Sequence, residues 1–207
     1  MPAPTRWLRV GWILVFALAM TRAEAGAHTL TDTSGPFFGG LKHFFVSLND
    51  VLAAVGIGLV AGLRGSPIAT RALLAFSGAW VVAGLGGIFS GVPEVTNPIP
   101  SGVALLLVGI LAGLDRPFSS PLVVALAILM GGLHGLLNGF ALHPAGLSSA
   151  LFQLAGISIA AFFSVLYIIS LLDLWNRAWI RIVARVLGSW IAASGLLLLG
   201  WSLRPAP

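Results

Sequence analysis

The sequence predicts an all-α, polytopic membrane protein: six transmembrane helices behind an N-terminal signal peptide. Three observations carry that expectation. The chain is 58% hydrophobic and 8% charged, against about 25% charged residues in soluble domains, so a soluble globule is excluded. A span takes about 20 mostly apolar residues, and apolar runs of roughly that length fill most of the 207 residues, leaving no room for a separate soluble domain. The basic residues stand between those runs rather than on one face, so the formal net charge of +5 speaks for membrane topology and against a nucleic-acid partner.

Arg6 and Arg9 precede the apolar run Val10–Met20, and the small-residue strings Ala23-Glu24-Ala25 and Ala25-Gly26-Ala27 follow it. That order is the one a secretory signal shows. Residues 1–25 are assigned to the signal, with cleavage after residue 27 as the other option, and 26–207 to the transmembrane domain. An uncleaved first helix is the alternative, although the run is short for a span.

After a polar stretch, His28–Gly40, the spans fall at 44–63, 71–90, 99–114, 118–142, 150–172 and 184–203. The third, bounded by Pro100 and Asp115, has about the length of a re-entrant segment. Its crossing is favoured by charge. With six crossings and an outside N-terminus, Arg64, Arg71, Arg116, Arg177, Arg181 and Arg185 lie inside and only Lys42 and Arg204 outside, as the cytoplasmic bias of basic residues demands. The expected location is a bacterial-type inner membrane with both termini periplasmic. Trp175 and Trp179 then sit at headgroup level, and Asp173 and Arg177, at i,i+4, form a solvated pair of small weight.

Ionisable residues inside spans are costly and mark candidate functional sites. Asp50 is the one acid well inside a predicted span and His134 the one histidine; Asn49 and Asn138 stand beside them, and Gln153 near the outer end of the fifth span. At about 1.5 Å per residue, Asp50 lies roughly 10 Å below the outer end of the first span, and His134 roughly 12 Å below the same surface in the fourth. Asn138 is one turn above His134 on the same face, and His43 two turns above Asp50 on its own face. His43, Asn49, Asp50, His134 and Asn138 are therefore expected to line one outward-opening cavity if the first and fourth spans are neighbours. Without cysteine, a metal would need nitrogen and oxygen donors, and imidazole with carboxylate suits nickel, zinc, copper or iron. The other reading is interhelical hydrogen bonding that holds two helices together.

The N-terminus offers a second candidate metal ligand. Cleavage after Ala25 makes His28 the third residue of the mature chain, a spacing that sets amine, two amides and imidazole around Cu(II) or Ni(II). Cleavage after Ala27 makes it the first, and exposed loop histidine is the plain alternative. Glycines four apart, Gly58/Gly62, Gly109/Gly113 and Gly131/Gly135/Gly139, suit close helix packing. An enzyme is not expected: Ala192-Ala193-Ser194-Gly195 lacks the first glycine of a G-x-S-G string, and Asp50 is alone where two acids would be needed.

These residues resemble the HupE/UreJ family of hydrogenase and urease accessory membrane proteins, proposed nickel or cobalt permeases with a signal peptide, a histidine-threonine pair near the mature start and six spans. His28-Thr29, the Gly35–Leu41 stretch and the span count agree along essentially the whole mature chain. The first motif, H-x5-D-H, reads here His43-Phe44-Phe45-Val46-Ser47-Leu48-Asn49-Asp50, with Asn49 in place of the acid and Asp50 in place of the second histidine. The second, F-H-G-x-A/V-H-G-x-E, reads Leu133-His134-Gly135-Leu136-Leu137-Asn138-Gly139-Phe140-Ala141, with Asn138 and Ala141 replacing a histidine and an acid.

The resemblance implies a permease for a divalent transition metal (nickel, cobalt, copper or zinc) with metal contacts at His43, Asp50, His134 and His28 and a path past Asn49 and Asn138. Half the usual ligands are changed, so the site is expected to be weak. The competing expectation is a non-transporting accessory subunit that binds a protein partner or a second copy of itself. Membrane lipid is a partner in either case.

Overall fold

Helices are the regular elements of the computed structural model, which describes residues 35–92, 97–175 and 178–204. The signal segment, His28, Glu94 and Arg177 lie outside the described residues. In chain order the helices are α1 (Gly35–Val46), α2 (Leu48–Gly62), α3 (Ser66–Phe89), α4 (Ile99–Leu114), α5 (Ser120–Leu142), α6 (Leu147–Leu174) and α7 (Ala178–Ser202), with a short 3-10 turn, His143–Ala145, between α5 and α6. Four of them, α3, α5, α6 and α7, are long and apolar enough to cross a membrane. The pair α1 and α2 passes the same test only jointly, and α4 is a shorter apolar helix.

The expected first span is not one helix. It is broken at Ser47, where α1 and α2 meet at 74°, and the stretch read as polar loop is helical from Gly35 onward. Ser47 is extended (φ −74°, ψ 92°). Its N–H closes α1 on the His43 carbonyl at 2.8 Å, and its carbonyl opens α2 by accepting from Asp50 and Val51 at 3.1 Å each. The S-x-x-D string at Ser47–Asp50 is a helix-start signature, here without a side-chain cap from Ser47. Proline stands in the first turn of α3, α4 and α5, where its missing N–H removes no intrahelical bond.

Small residues set which helices pack. A side chain at Gly131, Gly135 or Gly139 of α5 would strike the α3 backbone at Phe76, Trp80 and Gly84, respectively, so these two helices run parallel at close range. The same device joins α4 to α7, antiparallel, through Gly109 against Gly188 and Ala192 and Gly102 against Gly195. Gly40 and Gly156 seat α1 on the start of α6, and Gly58 and Gly62 seat α2 along its second half. Without a hydrophobic force between helices in lipid, such close approach supplies much of the association. Helices α2, α4 and α6 therefore run one way and α3, α5 and α7 the other. Ser47, Ser90 and His143 share one end of the bundle; Arg64, Asp115 and Trp175 share the opposite end.

The largest fully buried side chains, Trp80, Phe44, Phe76 and Ile57, fill the junction of α1, α2 and α3, while large apolar groups such as Val82, Leu129, Trp190, Leu197 and Trp201 stand exposed on the outer faces. That distribution suits a lipid-facing surface.

Replacing Gly135 by valine forces α3 and α5 apart, and about 1–3 kcal/mol or more of stability should be lost, as in other overpacked contacts. A methyl group at Gly132 would meet nothing within 4 Å, so Gly132→Ala should be neutral. Thermal melting followed by size-exclusion chromatography in mild detergent compares the two.

Candidate functional site

The break at Ser47 makes Asp50 the third residue of α2, in its first turn, where the unpaired N–H groups and the helix dipole favour a negative charge. The glycine contacts of α5 with α3 bring His134 and Asn138 to the same level. The three polar side chains are buried, with Asp50 3%, His134 1% and Asn138 5% exposed. His134 Nδ1 lies 2.8 Å from Asp50 Oδ1. Asn138 Nδ2 donates to Asp50 Oδ2 at 3.0 Å and to the His134 carbonyl at 2.9 Å.

Two acceptors around Asn138 Nδ2 settle the amide orientation, and an ionised Asp50 accepts on both oxygens, so Nδ1 of His134 is the donor. In the neutral ring Nε2 then carries a free lone pair. Three enclosed polar atoms around this triad have no protein partner: His134 Nε2, Asn138 Oδ1 and the indole Nε1 of Trp80. Buried polar atoms are seldom left unpaired. Trp80 stacks on His134, with centroids 5.9 Å apart and planes at 21°, and is backed by Phe76 at 5.3 Å and Phe44 at 6.2 Å. Aromatic walls lower the local dielectric and strengthen the polar contacts they enclose.

Chemically, Asp50 stands behind the imidazole and orients it, as carboxylates do behind metal-binding histidines. The atoms left to meet a solute are one imidazole nitrogen and one amide oxygen. Among the described residues no group of three or more His, Cys, Asp or Glu converges on one point, so a cation here would keep part of its water shell.

His43 is exposed on α1. The expectation that it stands two turns above Asp50 on one face does not hold, because the 74° bend at Ser47 interrupts the helix that would have aligned them. Asn49 is half-buried beside Asp50. Gln153 donates to Ser149 Oγ at 3.0 Å, and His143 Nδ1 lies 2.8 Å from the Ile88 carbonyl, tying the ends of α3 and α5 together. Sequence reasoning misses Trp80. Tryptophan favours membrane interfaces, and one placed ten residues into a 20-residue apolar run is the signal that could have found it.

A family model described as HupE / UreJ protein matches residues 15–198. No curated protein and no solved structure matches the chain.

Removing Asp50 alone strands a buried imidazole and amide, so Asp50→Ala and His134→Ala should each cost about 3–5 kcal/mol, the range for breaking a buried pair. The double variant should lose less than the sum, with a coupling above about 0.5 kcal/mol. A double-mutant cycle on melting measures it.

Proposed function

The chain belongs to the HupE/UreJ family, and on that premise we propose that it is a membrane accessory protein of permease type that binds a partly hydrated divalent transition metal at Asp50, His134 and Asn138. The family is of accessory and transport type rather than catalytic. One observation carries the reading: a buried carboxylate orients an imidazole through Nδ1 while His134 Nε2 and Asn138 Oδ1 are left enclosed and unpartnered. Nickel- and cobalt-like ions take such nitrogen and oxygen donors, and fewer protein ligands mean a weaker, exchangeable site. Low affinity suits passage, since a carrier site has to release what it binds.

Six crossings with the triad toward the outer surface complete the proposal. Arg64, Arg116, Arg181 and Arg185 gather at the bundle end away from the triad, which supports that end as cytoplasmic. The helices α2 and α4, of 15 and 16 residues, are about 22–24 Å long, short of a hydrocarbon core of about 30 Å. They pack on each other where Val108 meets Gly56. Broken or short helices at the bilayer's middle depth commonly hold a transporter's site, and α2 begins at Asp50's own turn.

Calorimetric titration of the purified protein with Ni²⁺ or Co²⁺ should show one ion per chain, lost in His134→Ala. Asn138→His supplies a second imidazole and should tighten binding by about tenfold or more, the value of one good ligand contact. Binding that is absent from the native protein, or unchanged in both variants, would leave the triad as interhelical hydrogen bonding and overturn the proposal.

A further inference from the structure

At the opposite end of the bundle two guanidinium groups share one carboxylate, and a third, Arg185, lies one turn further along α7. Asp115, the αL residue that ends α4 (φ 47°), is gripped through both oxygens by Arg181 of α7, Nε to Oδ2 at 2.9 Å and Nη2 to Oδ1 at 2.8 Å. A bidentate pair of this kind uses the carboxylate's best acceptor positions. Arg64, in the turn between α2 and α3, comes no nearer to the same Oδ1 than 3.9 Å, although its side chain is only 7% exposed. Its Nε and Nη2 are enclosed and have no hydrogen-bond partner, and its guanidinium lies 5.3 Å from the Phe118 ring centroid. Arg185 is engaged weakly, Nε to the Gly113 carbonyl at 3.2 Å. Arg116 is adjacent in sequence and exposed.

Asp115 thus serves two guanidinium groups unequally, and Arg64 is the one left without a hydrogen bond to it. Burial lowers its pKa from the ordinary arginine value, Asp115 opposes that shift and the charge of Arg181 adds to it. An arginine so placed stays charged, and a buried charged donor without an acceptor is costly. Phosphate oxygens are the acceptors that match convergent guanidinium forks. The surroundings indicate where that phosphate comes from. Beside Arg181 and Arg185 the α7 surface is apolar and exposed at Ile182, Val183 and Val186, and Trp175 and Trp179 stand exposed next to them. Such a surface accommodates acyl chains, with tryptophans at headgroup level.

We infer that Arg64, Arg181 and Arg185 form a binding site for the phosphodiester of an anionic membrane lipid at the end of the bundle remote from the Asp50–His134 pair. Basic pockets between helix ends on the cytoplasmic side take such headgroups. Arg181 and Arg185 are exposed to meet the headgroup, and Arg64, largely enclosed beside Asp115, adds its charge.

Native mass spectrometry and melting of the full chain in neutral detergent test this with phosphatidylglycerol, phosphatidylcholine and inorganic phosphate added separately. Phosphatidylglycerol should be retained and raise the melting temperature by a few degrees; phosphatidylcholine should do neither. Arg64→Met should bind phosphatidylglycerol about tenfold more weakly, yet melt no lower than the native protein when lipid is absent, because it removes enclosed charged donors that no hydrogen bond satisfies. Arg181→Gln, at a half-exposed position, should weaken retention too, while Arg71→Gln, on α3 outside the cluster, should not. Equal retention of both lipids, or undiminished retention in Arg64→Met and Arg181→Gln, overturns the inference. Stabilisation by inorganic phosphate without lipid retention overturns the lipid assignment.

Discussion

A carboxylate enclosed in an apolar helix bundle has to be compensated where it stands, and Asp50 is the constraint around which the rest of this structure is arranged. Two hydrogen bonds reach it from α5, and the start of α2 lends it the positive end of a helix. Each needs a particular piece of architecture. The dipole is available only because the helix restarts at Ser47; an uninterrupted helix would have spent those N–H groups on the preceding turn. The bonds come from α5, which glycines hold close against α3.

The two ends of the bundle treat charge differently. At the triad end Asp50 is matched by an imidazole and an amide under an aromatic cover, leaving acceptor atoms enclosed without a protein partner. At the far end Asp115 is shared between two guanidinium groups, leaving donor atoms of Arg64 enclosed without a hydrogen-bond partner. The helix α2 runs from one imbalance to the other: Asp50 sits in its first turn and Arg64 just past its last residue.

Much of this is legible in specific residues. Asp50 and His134 fall at one depth when residues are counted from opposite ends of two expected spans, which works because helical rise is constant. The span expected at 99–114 coincides with α4, since Pro100 and Asp115 bracket it. The break at Ser47 is hidden because apolar residues flank it on both sides, so hydropathy reads through a kink that the S-x-x-D string marks. That is also why the sequence aligns His43 with Asp50 when the chain turns between them.

By itself the sequence determined an all-helical membrane protein, the family to which it belongs and the residues able to form a polar centre, because hydropathy, glycine spacing and rare intramembrane polar groups are properties of a single chain segment. Only the tertiary structure decided which polar atoms are used up and which are left over. Asp50 spends both oxygens on His134 and Asn138, Arg181 outcompetes Arg64 for Asp115, and Trp80 becomes a lid over an imidazole. Those outcomes depend on the angle and distance at which helices meet, and a hydrogen bond reads both far more sharply than any pattern along one helix can specify.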